Sequence, residues 1–294
     1  MDHRTQYLLN ARPLPLLAKM SAPNSIAFFI QASVSMTEVW FVGQLGSSSL
    51  AAMALVFPLL MLTQTLSAGA MGGAVASAIA RALGAGEPQR AEQLIWHALA
   101  MAVIGALLLF TAFWVFGAHF LRFLGGNNDT LDQALRYCLV LFSGGVFLWF
   151  MGVVSAIYRG MGEMKFPALV MAASALVQVP LSAALVLGAF GAPQLGIVGA
   201  AVSAVITAFL LSGIMILRLI IGSTAIKIRR SHFGFEPQHF REILKVALPA
   251  SLSPILTVTS ILCLTAIVGR FGEEALAGYG IGSRIEFLLI PLVF

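Results

Sequence analysis

Glu38 is a carboxylic acid set in a long apolar stretch, and Asn24, Gln31 and Ser35 precede it at intervals of seven, four and three residues. On a helix this spacing places all four on one face. A charged side chain at the centre of a bilayer costs about 2.5–3.5 kcal/mol on insertion scales, so a carboxyl kept there is kept for what it does. It can take up and lose a proton, or hold a cation together with amide and hydroxyl oxygens. A second polar stripe, Ser174, Gln178 and Ser182, repeats every four residues. If the two stripes face each other, Gln178 and Ser182 can hydrogen-bond the Glu38 carboxyl and complete an ion-coupling site.

Other polar positions follow the same spacing. Ser203 and Thr207 continue a small-residue line from Gly199, and Thr257 lies between Ser253 and Ser260. Each hydroxyl taken alone suits ordinary helix packing with a bond back to the preceding turn. Taken together, Asn24, Gln31, Ser35, Ser174, Ser203, Thr207, Thr257, Arg284 and Glu286 are expected to line a wet cavity. Arg284 and Glu286 are two residues apart, point to different helix faces and do not pair with each other. Their partners are expected on helices outside this chain.

The elements that must carry these residues follow from composition. The chain is 59% apolar and only 10% charged, with a mean hydropathy of +0.94. Soluble domains carry about 25% charged residues, so lipid must solvate much of this surface. The net charge of +5 is spread along the chain, which argues against a nucleic-acid partner. Cys138 and Cys263 sit in apolar runs and suggest neither a disulfide framework nor a metal site. Neither H-E-x-x-H spacing nor a paired-acid or nucleophile motif points to an intramembrane enzyme. No enzymatic activity and no organic or metal cofactor are expected. The first apolar run is too long for a signal-peptide core and becomes a retained span.

A helix needs about 20 mostly apolar residues to cross a bilayer. Eight runs qualify, at roughly 20–43, 51–80, 93–118, 134–157, 166–190, 194–221, 244–268 and 275–294. With the N-terminus inside, thirteen Lys and Arg fall on inner segments: Arg4, Arg12, Lys19, Arg81, Arg90, Arg159, Lys165, Arg218, Lys227, Arg229, Arg230, Arg241 and Lys245. The outer loops hold three, Arg122, Arg136 and Arg270. The positive-inside rule therefore puts the N-terminus in the cytoplasm of a multi-pass protein of the cytoplasmic (inner) membrane. Residues 223–243 form a basic cytoplasmic linker after the sixth span, and contact with anionic lipid is one role open to it.

A shift of 226 residues brings the start of the chain back. Lys19, Pro23 and Ser25 fall on Lys245, Pro249 and Ser251, and Val42-Gly43, Gly46 and Leu50-Ala51 fall on Val268-Gly269, Gly272 and Leu276-Ala277, eight identities in 33 ungapped positions. A repeat that restarts after six spans restarts on the same side of the membrane, so its axis runs along the membrane normal. The division expected is a six-helix lobe over 1–222, a linker over 223–243 and the first two helices of a second lobe over 244–294. The second copy runs out at Phe294, so the remaining helices of that lobe are expected to be missing, in a fragment or a truncated product. The 294 residues alone are expected not to transport.

The loop motifs carry a resemblance. Phe41-Val42-Gly43-Gln44-Leu45-Gly46 with Leu50-Ala51-Ala52, Gly84-Ala85-Gly86, Arg159-Gly160-Met161-Gly162, Leu195-Gly196-Ile197-Val198-Gly199-Ala200-Ala201 and Gly278-Tyr279-Gly280-Ile281-Gly282-Ser283-Arg284-Ile285-Glu286 occur in this order. In that order they resemble motifs of the multidrug and toxic compound extrusion (MATE) transporters, from about Pro23 to Phe294. The resemblance implies an all-α fold of twelve helices in two lobes around a central cavity. It also implies export of amphipathic, often cationic, compounds in exchange for protons or sodium. Glu38 aligns with the family's acid on helix 1, usually Asp. Some members carry Asn and Asp where this chain has Gln178 and Ser182, so a second acid is missing, which leans the coupling toward protons. Two other functions stay open: a lipid-linked saccharide flippase of the same superfamily, and a truncated scaffold that does not transport.

Overall fold

In the computed structural model, residues 13–222, 234 and 236–293 are described. Most of the basic stretch after the sixth span, with Lys227, Arg229 and Arg230, lies outside them, as do Arg4 and Arg12. The described residues form helices joined by turns. They are α1 (Pro13–Gly43), α2 (Ser47–Gln64), α3 (Gly72–Gly84), α4 (Pro88–Phe123), α5 (Asn128–Ser143), α6 (Gly145–Gly160), α7 (Lys165–Leu187), α8 (Ile197–Ile221), α9 (Pro237–Gly269) and α10 (Glu273–Val293). Backbone N–H and C=O groups find no water in hydrocarbon, so helices are the form such a chain can take there.

Among the described residues, six helices are long and apolar enough to cross a membrane: Ser21–Gly43, Ser47–Gly84, Pro88–Phe123, Lys165–Leu187, Ile197–Ile221 and Pro237–Gly269. The pair α5 and α6, bent by 54°, makes a seventh, and α10 coincides with the eighth apolar run. The bend is a departure from the single straight fourth span read from hydropathy. It falls at Gly144-Gly145, where a Cβ on Gly144 would sit 2.3 Å from Val205 of α8, so close packing of the two helices sets the break. The second span is also irregular. Pro58 lies inside α2, and the departure is a π-helical segment, Thr65–Met71, that links α2 to α3. Such a segment frees backbone carbonyls from the regular ladder, and Arg159 Nη2 donates to the Ala68 oxygen at 3.2 Å. Pro180 sits within the continuous α7.

The turn that ends the first span recurs at the end of the seventh. Gly46 and Gly272 take φ of +116° and +102°, a region that L side chains avoid. Each carbonyl accepts from the residue four places on, Leu50 at 3.3 Å and Leu276 at 3.1 Å. The loop identities at an offset of 226 thus correspond to one backbone conformation used twice.

Apolar side chains pack into two cores. One joins α3, α4, α6 and α8 with Ile243 and Ala247 of α9. The other joins the ends of α1 and α4, the start of α8, α2 and α5, with Leu276 and Ala277 of α10. At the first end, Tyr158 Oη donates to the Met215 carbonyl at 2.9 Å, and Arg218 lies 3.8 Å over Phe166 while pairing with Glu163 at 3.3 Å. At the second end, Ser48 donates to Asp129 at 2.7 Å, Ser49 to Gln133 at 2.7 Å and Thr130 to Glu273 at 2.6 Å, which ties α2, α5 and α10 together.

Small residues on α8 do the packing expected of them. A Cβ on Gly199 would lie 2.5 Å from the Leu185 backbone, so α7 and α8 touch main chain to main chain there. Gly199→Ala should therefore cost about 1–3 kcal/mol, the usual penalty of overpacking. The expected result is a lower melting temperature by scanning fluorimetry in detergent; an unchanged transition would show that the two helices separate freely.

Candidate functional site

The two polar stripes meet. Glu38 is buried on α1 and Gln178 on α7, and Gln178 Nε2 donates to Glu38 Oε1 at 2.9 Å. One to two turns away, Ser174 Oγ donates to Gln31 Oε1 at 3.2 Å and also bonds back to the Met171 carbonyl. Helix periodicity makes both contacts possible at once, because residues 31 and 38 on α1 and 174 and 178 on α7 lie on facing stripes. Lipid cannot satisfy these amides, so each stripe is the other's solvent.

Two further groups converge on the carboxyl. Tyr137 of α5 and Arg284 of α10 are buried and lie within electrostatic reach of Glu38. Tyr137 was missed in sequence reasoning, since one tyrosine in an apolar run carries no periodic signal. Arg284 corrects an expectation. Its surroundings belong to this chain: Nη1 is 3.5 Å from Met53 Sδ, and its guanidinium carbon is 5.0 Å from the Phe57 ring centre, both on α2. Gly280, one turn before it, abuts Ala54 so closely that a Cβ would sit 2.5 Å from that side chain. The small residues before Arg284 let α10 approach α2, and the approach buries the cation against sulfur and an aromatic face. Glu286 points elsewhere and is exposed.

The remaining expected site residues divide. Ser182 is fully buried but makes no hydrogen bond to the Glu38 carboxyl; its Oγ has no partner. It lies a full turn beyond Gln178, past the reach of that side chain's contact. Thr207 is buried with its hydroxyl also unpartnered, and Ser203 is buried and bonds back to the Ala200 carbonyl at 2.8 Å. Both sit among packed helices rather than on an open wall. Ser35 is half-buried, and Thr257 is exposed with its hydroxyl bonded to the Ser253 carbonyl at 3.1 Å. The side chain of Asn24 lies outside the described residues.

Two cavities adjoin the convergence. A water-sized space of about 10 Å³ is lined by Val39, Met53, Ala277, Gly280 and Arg284 among others. An open groove of about 550 Å³ runs past Met36, Val39, Trp40, Gln44 and Ile281. Of the residues expected to line a cavity, Arg284 lines the first, and the others line neither.

The described residues thus form a multi-pass helical bundle with buried, paired polar side chains between its spans, and known proteins share its sequence and fold. The MatE family model matches residues 23–184, more than half of the chain, and the chain belongs to that family of membrane transporters. It is similar to the FAD transporter of Shewanella oneidensis, with 26% identity over 97% of this chain and 63% of that protein. It is equally similar to the probable multidrug resistance protein NorM of Thermotoga maritima, with 26% identity over 92% of this chain and 58% of that protein. Among solved structures, an outward-facing multidrug resistance MATE transporter superposes with a TM-score of 0.85 and 26% identity, covering 98% of this chain and 63% of the other. An inward-facing one gives 0.81 and 26%, covering 88% and 58%. The chain thus spans about six-tenths of the length of these relatives.

Proposed function

We propose that this chain forms the greater part of a secondary antiporter that exports amphipathic small molecules, including cationic drugs, across the cytoplasmic membrane in exchange for protons. Its N-terminus lies in the cytoplasm. In this reading residues 1–222 are one lobe, 223–243 a cytoplasmic linker and 244–294 the beginning of a second lobe. The observation that carries it is the buried Glu38–Gln178 contact at 2.9 Å. One carboxyl with an amide and no second acid is a meagre shell for sodium, which prefers several oxygens, and an adequate holder for a proton.

The physical logic is competition. An ionised Glu38 draws α1, α7 and α10 together through Gln178 and Arg284 and attracts a cationic cargo. Protonation removes that attraction and lets the cargo leave on the far side. Drug export follows the names of the NorM relatives; the Shewanella relative adds a flavin nucleotide, which is anionic, to the cargo worth testing. The test is uptake of a fluorescent cationic dye and of FAD into everted vesicles from cells expressing the complete transporter to which this chain would belong, driven in turn by a proton and a sodium gradient. Dye uptake that collapses with the proton gradient supports the reading. Uptake that follows sodium alone, or of neither compound under either gradient, defeats it.

A further inference from the structure

Away from Glu38, the first turns of α4 and α9 meet around two histidines. His97 is fully buried, with its ring 4.6 Å from Phe240 and 5.1 Å from His239. The partners of its two nitrogens select one protonation state. Nδ1 lies 2.7 Å from the Gln93 carbonyl oxygen, which only accepts, so Nδ1 carries a hydrogen. Nε2 lies 2.9 Å from the backbone N–H of Glu236, which only donates, so Nε2 offers its lone pair. In this contact His97 is neutral. Glu236 is the capping residue of α9, so the imidazole satisfies a donor at the start of that helix.

We propose that His97 is a positioning residue that fastens the first turn of α9 to α4 only while it is neutral, so that a proton taken up at this end frees that turn while Glu242, farther along α9, keeps its hold on Arg81 and Arg90. A second hydrogen on Nε2 would point at the Glu236 N–H, and the two donors cannot share a 2.9 Å contact. The new charge would also sit at the N-terminus of a helix, where cations are disfavoured, and beside the His239 ring.

On α9, Glu242 is already held by Arg81 of α3 at 3.4 Å and by Arg90 of α4 at 2.9 Å, and Arg90 also binds Glu87. The Glu236 carboxylate is 3.5 Å from Gln93 Nε2 and 3.5 Å from His239 Nδ1. Glu92 is buried on α4, Arg159 of α6 is turned to the Ala68 carbonyl, and Glu163 is paired with Arg218. Histidines are the side chains whose ordinary titration falls between about pH 5 and 8, and here they stand at the contact itself. That this end faces the cytoplasm rests on the orientation proposed above; the release does not.

The experiment reads distance rather than transport, so it stands or falls apart from the export reading. Spin labels replace the exposed Gln89 and Gln238, on the two sides of the contact, in a background with Cys138 and Cys263 changed to Ala. Double electron–electron resonance is recorded in lipid nanodiscs at about pH 8 and about pH 5.5. The expected result is one short distance at the higher pH and an added longer population at the lower. His97→Gln keeps a neutral acceptor for the Glu236 N–H and should hold the short distance at both. His239→Phe keeps an aromatic neighbour and should retain the pH response. The proposal is overturned by a wild-type distance that ignores pH, by a His97→Gln protein that responds like wild type or shows the longer population at both pH values, or by loss of the response in His239→Phe.

Discussion

In the complete transporter proposed above, Glu38→Gln should yield a folded protein in which proton-driven efflux falls to the level of vesicles without it. The glutamine has the shape of the acid, and its Oε1 can still accept from Gln178 Nε2, so the 2.9 Å contact between α1 and α7 survives. What goes is the capacity to change charge. Without it, an imposed pH gradient has no group in this pair to act on, and loss of coupling should be near total rather than graded. Glu38→Asp keeps the titration and shortens the reach by one methylene, so it should retain part of the activity. The measurement is dye efflux across a pH series, with each variant's abundance in the membrane checked by blot. Wild-type export by Glu38→Gln at every pH would place the coupling elsewhere and reduce Glu38 to a packed carboxyl.

Arg284→Met should have the second-largest effect. Methionine fills most of the same space against Met53 and Phe57, so packing of α10 on α2 is preserved. The lost feature is a buried positive charge within electrostatic reach of Glu38. Removing one of two interacting buried charges leaves the other uncompensated and typically costs about 3–5 kcal/mol, so the melting temperature should fall while transport fails. A double variant with Glu38→Gln should be no worse than either single change, because residues that act as one unit do not add. A double variant markedly worse than both, or a single Arg284→Met that exports normally, would show that the guanidinium works independently of the acid.

Much of the architecture is legible one residue at a time. Bilayer thickness and the cost of unpaired backbone are constraints along the chain, so run length is enough to mark where long helices fall. The same holds for the repeat: Gly46 and Gly272 can be paired from sequence because a positive φ demands a particular residue, and the two turns do share their backbone conformation. The facing of the Glu38 and Gln178 stripes was also legible, since period and polarity together say which face of each helix lipid must reject.

What sequence left open was always a partner on another helix. Period places Arg284 on a face but not against a surface; its neighbours in this chain are Met53 and Phe57, which α10 reaches because Gly280 lets it lie against Ala54. Ser182 continues the α7 stripe, yet helix geometry stops Glu38 at Gln178 and leaves that hydroxyl unpartnered. The break at Gly144 and the π-helical segment at Thr65–Met71 depend on what presses against them. His97 shows the limit most plainly: its acceptor role is fixed by a backbone N–H 139 residues away, in a helix whose packing no local pattern encodes. Hydropathy is a property of a segment, whereas a hydrogen bond or a buried charge is a property of two surfaces, and only the tertiary structure brings both to the same point.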